Sequence, residues 1–171
     1  DRQSAVLLKK HGVENVSVIP DTRIDRVYQV CEQAGKKQFE LIKNFSEGKL
    51  TIIAGSTYEK EETFLKQYLD ENPDQDIKVI VAPHKVNGQH LQFLKGLFAE
   101  NALFWNEAQD KKTEGNDKKI LVIDTIGMLQ YIYQYGDMAI IGGGFEKSIH
   151  NTLEPATFGL PILFGPKNHE N

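Results

Sequence analysis

Cysteine is nearly missing from this sequence: Cys31 stands alone among 171 residues. That excludes an internal disulfide framework and any zinc site built on several cysteines, and it fits a reducing compartment. No apolar run approaches the roughly 20 residues that would cross a bilayer, and the first residues carry no signal-peptide pattern. An excess of positive charge is lacking too. Twenty Lys and Arg stand against 24 Asp and Glu, a formal charge of −4, which argues against a strongly basic nucleic-acid binder. The five histidines show neither HxxxH nor HExxH spacing, so no metal site is expected. GxGxxG and GxxxxGK(S/T) are absent as well, which disfavours dinucleotide oxidoreductases and P-loop ATPases.

What is present is ordinary globular composition, 40% apolar, 26% charged and 9% aromatic. A domain of this length buries roughly 70% of its unfolded surface and needs no disulfide or metal staple. The chain begins at Asp1 and stops at Asn171 just after a strand-like run, so it is expected to be part of something longer.

Six short apolar runs end in small or polar residues: 16–19, 50–53, 77–81, 119–123, 138–141 and 160–164. Most do not alternate apolar with polar, which predicts strands buried on both faces, as in a parallel sheet. Helical spacing of apolar residues fills the gaps over 24–45 (with Gly35 as a break), 59–71, 87–98 and 126–135. Strands alternating with helices read as a doubly wound, mostly parallel, Rossmann-like α/β domain. Residues 106–118, rich in Asp, Lys, Glu and Asn, read as a solvated loop.

In an open parallel sheet, ligands bind beyond the carboxyl ends of the strands, and the polar clusters fall there. Gly142-Gly143-Gly144 would form either a plain turn or a backbone cradle for phosphate. Asn151 with Glu154 three residues on has the form of a capping box. The same helix start could instead face an anion while the Glu154 carboxylate accepts ribose hydroxyls. Ser56 and Glu59 would make a second capping box, and Asp124 or Thr125 a helix cap. Pro83-His84 would put an imidazole at the mouth of the site.

Taken in order, the segment from Asp21 to Val27 (DTRIDRV), AGSTYE from Ala54 to Glu59, DTIG from Asp124 to Gly127 and GGGFEKSIHNTLEPATFGLPILFGP from Gly142 to Pro166 resemble the C-terminal half of the 3-deoxy-D-manno-octulosonic acid (Kdo) transferases. The resemblance covers nearly the whole chain. HN-x-LEP-x-x-x-G-x-P-x-x-x-GP is its most specific part, with GST and DT-x-G in support. It implies a GT-B glycosyltransferase of two Rossmann-like domains, of which residues 1–171 would be the donor domain and 1–24 the interdomain segment. The donor would be CMP-Kdo and the acceptor a lipid A precursor at the cytoplasmic face of the inner membrane of Gram-negative bacteria, in lipopolysaccharide synthesis. Transfer would invert and need no metal or other cofactor.

The family's catalytic base, acceptor contacts and membrane contact belong to its N-terminal half, which is expected to lie outside residues 1–171. The fragment is therefore expected to be soluble, to contain no catalytic residue and to be inactive alone. Its apolar surface would be exposed where the final helix of the GT-B fold is missing. Carried over by position, the CMP contacts would be Pro83 and His84, then Ile126, Gly127 and Met128, then Asn151, Thr152, Leu153 and Glu154. Gly55, Ser56, Thr57, Lys85, Gly143 and Gly144 would line the same cleft. Two positions depart from the family: His84 stands where Arg is usual, with Lys85 beside it, and Thr152 where Pro is frequent. Two other readings share the residues: a GT-B enzyme using a UDP-sugar, and a non-catalytic flavodoxin-like module.

Overall fold

Buried strand runs interleaved with amphipathic helices call for a sheet covered on both faces, and the computed structural model has that form. It describes residues 2–19, 22–111, 117–146 and 148–168, with all side chains there except those at 22–24, 26, 31, 110 and 111. The elements are α1 (Arg2–Lys10), α2 (Thr22–Ala34), α3 (Glu40–Ser46), β1 (Leu50–Thr57), α4 (Glu59–Glu71), β2 (Ile77–Pro83) and α5 (Gly88–Phe98). After them come β3 (Ala102–Phe104), α6 (Trp105–Lys111), β4 (Ile120–Val122), α7 (Leu129–Ile132), β5 (Met138–Ile141), α8 (Leu153–Thr157) and β6 (Ile162–Phe164).

The strands form one sheet in the order β3-β4-β2-β1-β5-β6, and every pairing is parallel. The chain moves from β1 outward to β2 and on to the edge strand β3, inserts β4 between those two, then crosses back to place β5 on the other side of β1. That reversal makes the gap beyond the carboxyl ends of β1 and β5 the topological switch point, where open α/β sheets take their ligands.

Alternate residues of each strand serve opposite layers, because successive side chains point to opposite faces. Ile52, Ala54, Val79, Val81 and Val122 meet Leu65 and Leu69 of α4 and Leu94 and Phe98 of α5. On the other face Ile53, Ile80, Leu121, Ala139 and Ile141 meet Ile42 and Phe45 of α3, Ile132 of α7 and the ring of Tyr133. The helices of the first layer stop short of β5 and β6. There Met138, Ile140, Leu163 and Phe164 line a groove of about 760 Å³ with Phe64, Tyr68 and Phe145.

Several expectations change. Residues 16–19 join no strand; Val18 and Ile19 lie exposed, so their β-branching gives extended chain without a neighbour to pair with. The helical pattern over 24–45 becomes two helices, interrupted at Gly35 and the following lysines. The polar stretch 106–118 is helical up to Lys111, since Ala108 is buried there; residues 112–116 lie outside the described residues. Residues 126–135 shorten to α7 and a 3-10 turn, Tyr133–Tyr135. Neither β3 nor α1 was expected. Of the segment 21–27 that carries part of the resemblance, Asp21 lies outside the described residues, and so do the side chains of Thr22, Arg23, Ile24 and Arg26.

Candidate functional site

β1 runs four residues further than its apolar run of 50–53, to Thr57, and this shapes everything beyond it. Ser56 takes a left-handed backbone (φ 53°), while Thr57 turns inward and its hydroxyl donates to Glu62 Oε1 at 2.8 Å. The helix therefore starts at Glu59, and the residue that reaches back is Glu61 rather than Glu59. Its Oε2 accepts the Tyr58 N–H at 3.1 Å. The expected Ser56–Glu59 capping box is thus displaced by two residues, because Ser56 is still in the strand.

Glu61 has a second task. Its Oε1 accepts the Gly143 N–H at 3.0 Å, tying the loop after β5 to the start of α4. The glycines of that loop are required by space. A Cβ on Gly142 would lie 2.1 Å from Ser56 O, and one on Gly143, already at φ 91°, would lie 2.4 Å from Ser148 O. Gly144 backs onto Gly165 just as closely. With the Gly142 N–H given to Gly55 O and that of Gly143 to Glu61, two of the three loop amides are spent within the protein. Compactness at the switch point accounts for the triplet without a phosphate.

Beside this loop, a cleft of about 340 Å³ is lined by Ser56, Gly127, Leu129, Gln130, Tyr133, Ile141, His150, Asn151 and Glu154. Its far wall precedes α8. Asn151 Oδ1 accepts the Leu153 N–H at 3.0 Å and Asn151 Nδ2 donates to Glu154 Oε1 at 3.1 Å. The capping expectation is met in modified form, as an Asx-type turn that also orients the carboxylate. α8 itself is only five residues long, so few peptide dipoles align there. Asp124 caps a different helix from the one expected: its Oδ1 accepts the Asn106 N–H at 2.9 Å, in the first turn of α6.

At the mouth stand three stacked rings. His84, just past β2, lies 4.4 Å from His150 and 4.8 Å from Tyr58, centroid to centroid. His150 Nε2 is 3.2 Å from the Tyr58 hydroxyl. Burial, followed by the neighbouring His84, holds the His150 imidazole below its ordinary pKa, with Glu61 opposing. Burial and the nearby Glu146 and Glu61 carboxylates push the Tyr58 phenol up.

The cleft brings Ser56, Gly127, Asn151 and Glu154 together. Gly55 lies directly behind, under the Tyr133 hydroxyl, and Pro83 is buried at the end of β2. His84 joins the site through its stack on His150, with Lys85 exposed beside it. Ile126 is 86% exposed, whereas Met128 is buried in the core, and neither lines the cleft. Thr57 points away into the protein. Thr152 and Leu153 flank the cleft wall without lining it. Sequence reasoning missed His150, Gln130 and Tyr133 as site residues. The signal for His150 was its place directly before Asn151; Tyr133 and Gln130 read only as a helix stripe and its polar side. Among the described residues, no group of three His, Cys, Asp or Glu is arranged to hold a metal ion.

No family model matches the chain. Over 128 residues it is 31% identical to the 3-deoxy-D-manno-octulosonic acid transferase of Aquifex aeolicus, covering 70% of this chain and 33% of that one. The enzyme of the same name from Chlamydia trachomatis serovar A is 26% identical over 125 residues, 67% of this chain and 26% of that one. Among solved structures, the crystal structure of the C-terminal CMP-Kdo binding domain of WaaA from Acinetobacter baumannii superposes with a TM-score of 0.63. That match covers 81% of this chain and 72% of that chain at 19% identity, which bears on the fold. The chain spans about a third or less of the length of these curated relatives.

Proposed function

We propose that this chain, a C-terminal half of the Kdo transferase family, is the donor domain of the enzyme and holds the CMP moiety of CMP-Kdo in the cleft beyond β1 and β5. The observation that carries the reading is the Asn151–Glu154 pair. Its carboxylate is oriented at the wall of a cleft that sits at the switch point of a parallel sheet. A carboxylate so placed can accept ribose hydroxyls, and Ser56 and Gly127 line the same cleft. Pro83, His84, Ile126, Gly127, Met128 and Asn151 to Glu154 are the proposed nucleotide contacts, Met128 through its backbone.

On this reading residues 1–171 are one donor domain. Residues 1–24 join it to an acceptor domain, and α1 keeps Val6, Leu7 and Leu8 exposed for such a neighbour. The complete enzyme transfers Kdo to a lipid A precursor at the cytoplasmic face of the inner membrane. No helix among the described residues is long and apolar enough to cross a membrane. Contact with membrane and acceptor, and the catalytic base, then fall to the other half, and this chain alone binds nucleotide without transferring sugar.

Calorimetric titration with CMP, UMP, UDP and AMP tests the reading. Binding of CMP in preference to the others is expected; preference for a uridine nucleotide would overturn the Kdo assignment in favour of another sugar donor.

A further inference from the structure

A nucleotide brings negative charge into the cleft, yet of the nine described residues lining it only His150 can carry a positive one. That imidazole is held from several sides. Tyr58 stacks on it at 5.6 Å and 16° and meets its Nε2 through the hydroxyl, and His84 lies against it at 4.4 Å and 24°. Gly143 makes the room: a Cβ there would come within 3.2 Å of His150 Cδ2. Nε2 meets the phenol, so Nδ1 is the ring's other polar atom.

We propose that His150, steadied by His84 and Tyr58, binds the phosphate of the donor nucleotide as an imidazolium, so that nucleotide binding takes up a proton. The inference rests on the nucleotide reading above. In the free protein burial, followed by His84, favours the neutral imidazole. The other groups that face the stack are Glu61, which favours the imidazolium from beneath, Glu146 beside Tyr58, Glu154 within the cleft and Lys85 next to His84. A phosphate adds charge of the sign that Glu61 already supplies, and in a partly desolvated cleft this outweighs the repulsion from His84. His84 then acts as a positioning residue: it stacks on the His150 ring and, after burial, opposes its protonation in the free protein.

The test is calorimetric titration of the chain with CMP at pH 6, 7 and 8 in buffers of different ionisation enthalpy. Cytidine serves as the phosphate-free control, and imidazole signals are followed by NMR. CMP binding at pH 7.5 is expected to take up about half a proton, and its affinity to fall by roughly tenfold between pH 6 and pH 8. The titration midpoint of His150 should rise when CMP is added, and cytidine should produce neither effect. In His150→Gln the proton uptake should vanish while cytidine still binds. In His84→Asn the midpoint of His150 should rise in the free protein. Proton uptake by CMP that is unchanged in His150→Gln would place the proton on the phosphate and overturn the proposal, as would CMP affinity independent of pH. Absence of CMP binding at every pH would overturn the nucleotide reading and the proposal with it.

Discussion

Asn151 and Glu154 show how one local interaction serves both structure and recognition. The amide of Asn151 holds Glu154 while its oxygen caps the next turn, so the carboxylate is aimed before any ligand arrives. Glu154→Ala should therefore weaken CMP binding by about 1–3 kcal/mol, the cost of losing charge-assisted hydrogen bonds to hydroxyls. Calorimetry beside circular dichroism checks this, and unchanged affinity in a folded variant would reduce Glu154 to a structural carboxylate. Behind the cleft, Gly55 leaves space for the Tyr133 hydroxyl, which would sit 2.4 Å from an added Cβ. Gly55→Ala should cost about 1–3 kcal/mol of stability in urea unfolding, as overpacking does. Adding Tyr133→Phe should return part of that loss, because the clashing oxygen is gone. At this scale the sequence singled out Asn151, Glu154 and Gly127, which the fold brings to one cleft. It was silent about Tyr133 and His150, whose roles come from elements distant in the chain meeting at the cleft.

Among the elements, α4 and α5 followed their apolar spacing closely, since each lays one stripe across a fully buried face. The short pieces were harder to read. β3 has three residues and borrows its stability from β4, and α6 is stopped from reading as a helix by its polar outer face. The start of α4 depended on where β1 ended, which no local motif states. That start carries two buried acids with different fates. Glu61 is satisfied by two backbone N–H groups, whereas Glu62, with no exposed surface, bonds Thr57 and His90 through Oε1 and leaves Oε2 unpartnered. Burial raises the Glu62 pKa above the ordinary carboxylate range, against the bonds from His90 and Thr57. The folded state then binds that proton more tightly than the unfolded chain does. Its contribution is greatest below the ordinary carboxylate pKa and is lost as pH rises through the raised one. Urea unfolding at a series of pH values should show this decline, and Glu62→Gln, which keeps the shape without the ionisation, should flatten it. An equally steep decline in the variant would assign the effect to another group.

The whole molecule is a two-sided sheet with one side incompletely covered. Over β5 and β6 the groove between Phe64, at 51% exposed, and Leu163, at 56%, leaves large apolar side chains open to solvent. The folded chain should enhance the fluorescence of a hydrophobic dye, and Leu163→Glu should diminish that signal without loss of secondary structure. The parallel order of the sheet was legible because the buried strand runs and the helices between them allow few other arrangements. The crossing from β4 to β5, which creates the switch point, was not, because strand order depends on contacts between residues far apart in sequence. That crossing is what brings the ends of β1 and β5 and the turn before α8 to one cleft.

The most direct test of the account is an NMR titration of the chain with CMP, following backbone amides, with UMP and AMP in parallel. CMP should shift Ser56, Gly127 and His150 to Glu154 at concentrations where the other two leave them unmoved. Shifts confined to residues away from that cleft, or stronger shifts with UMP, would contradict a CMP-binding donor domain.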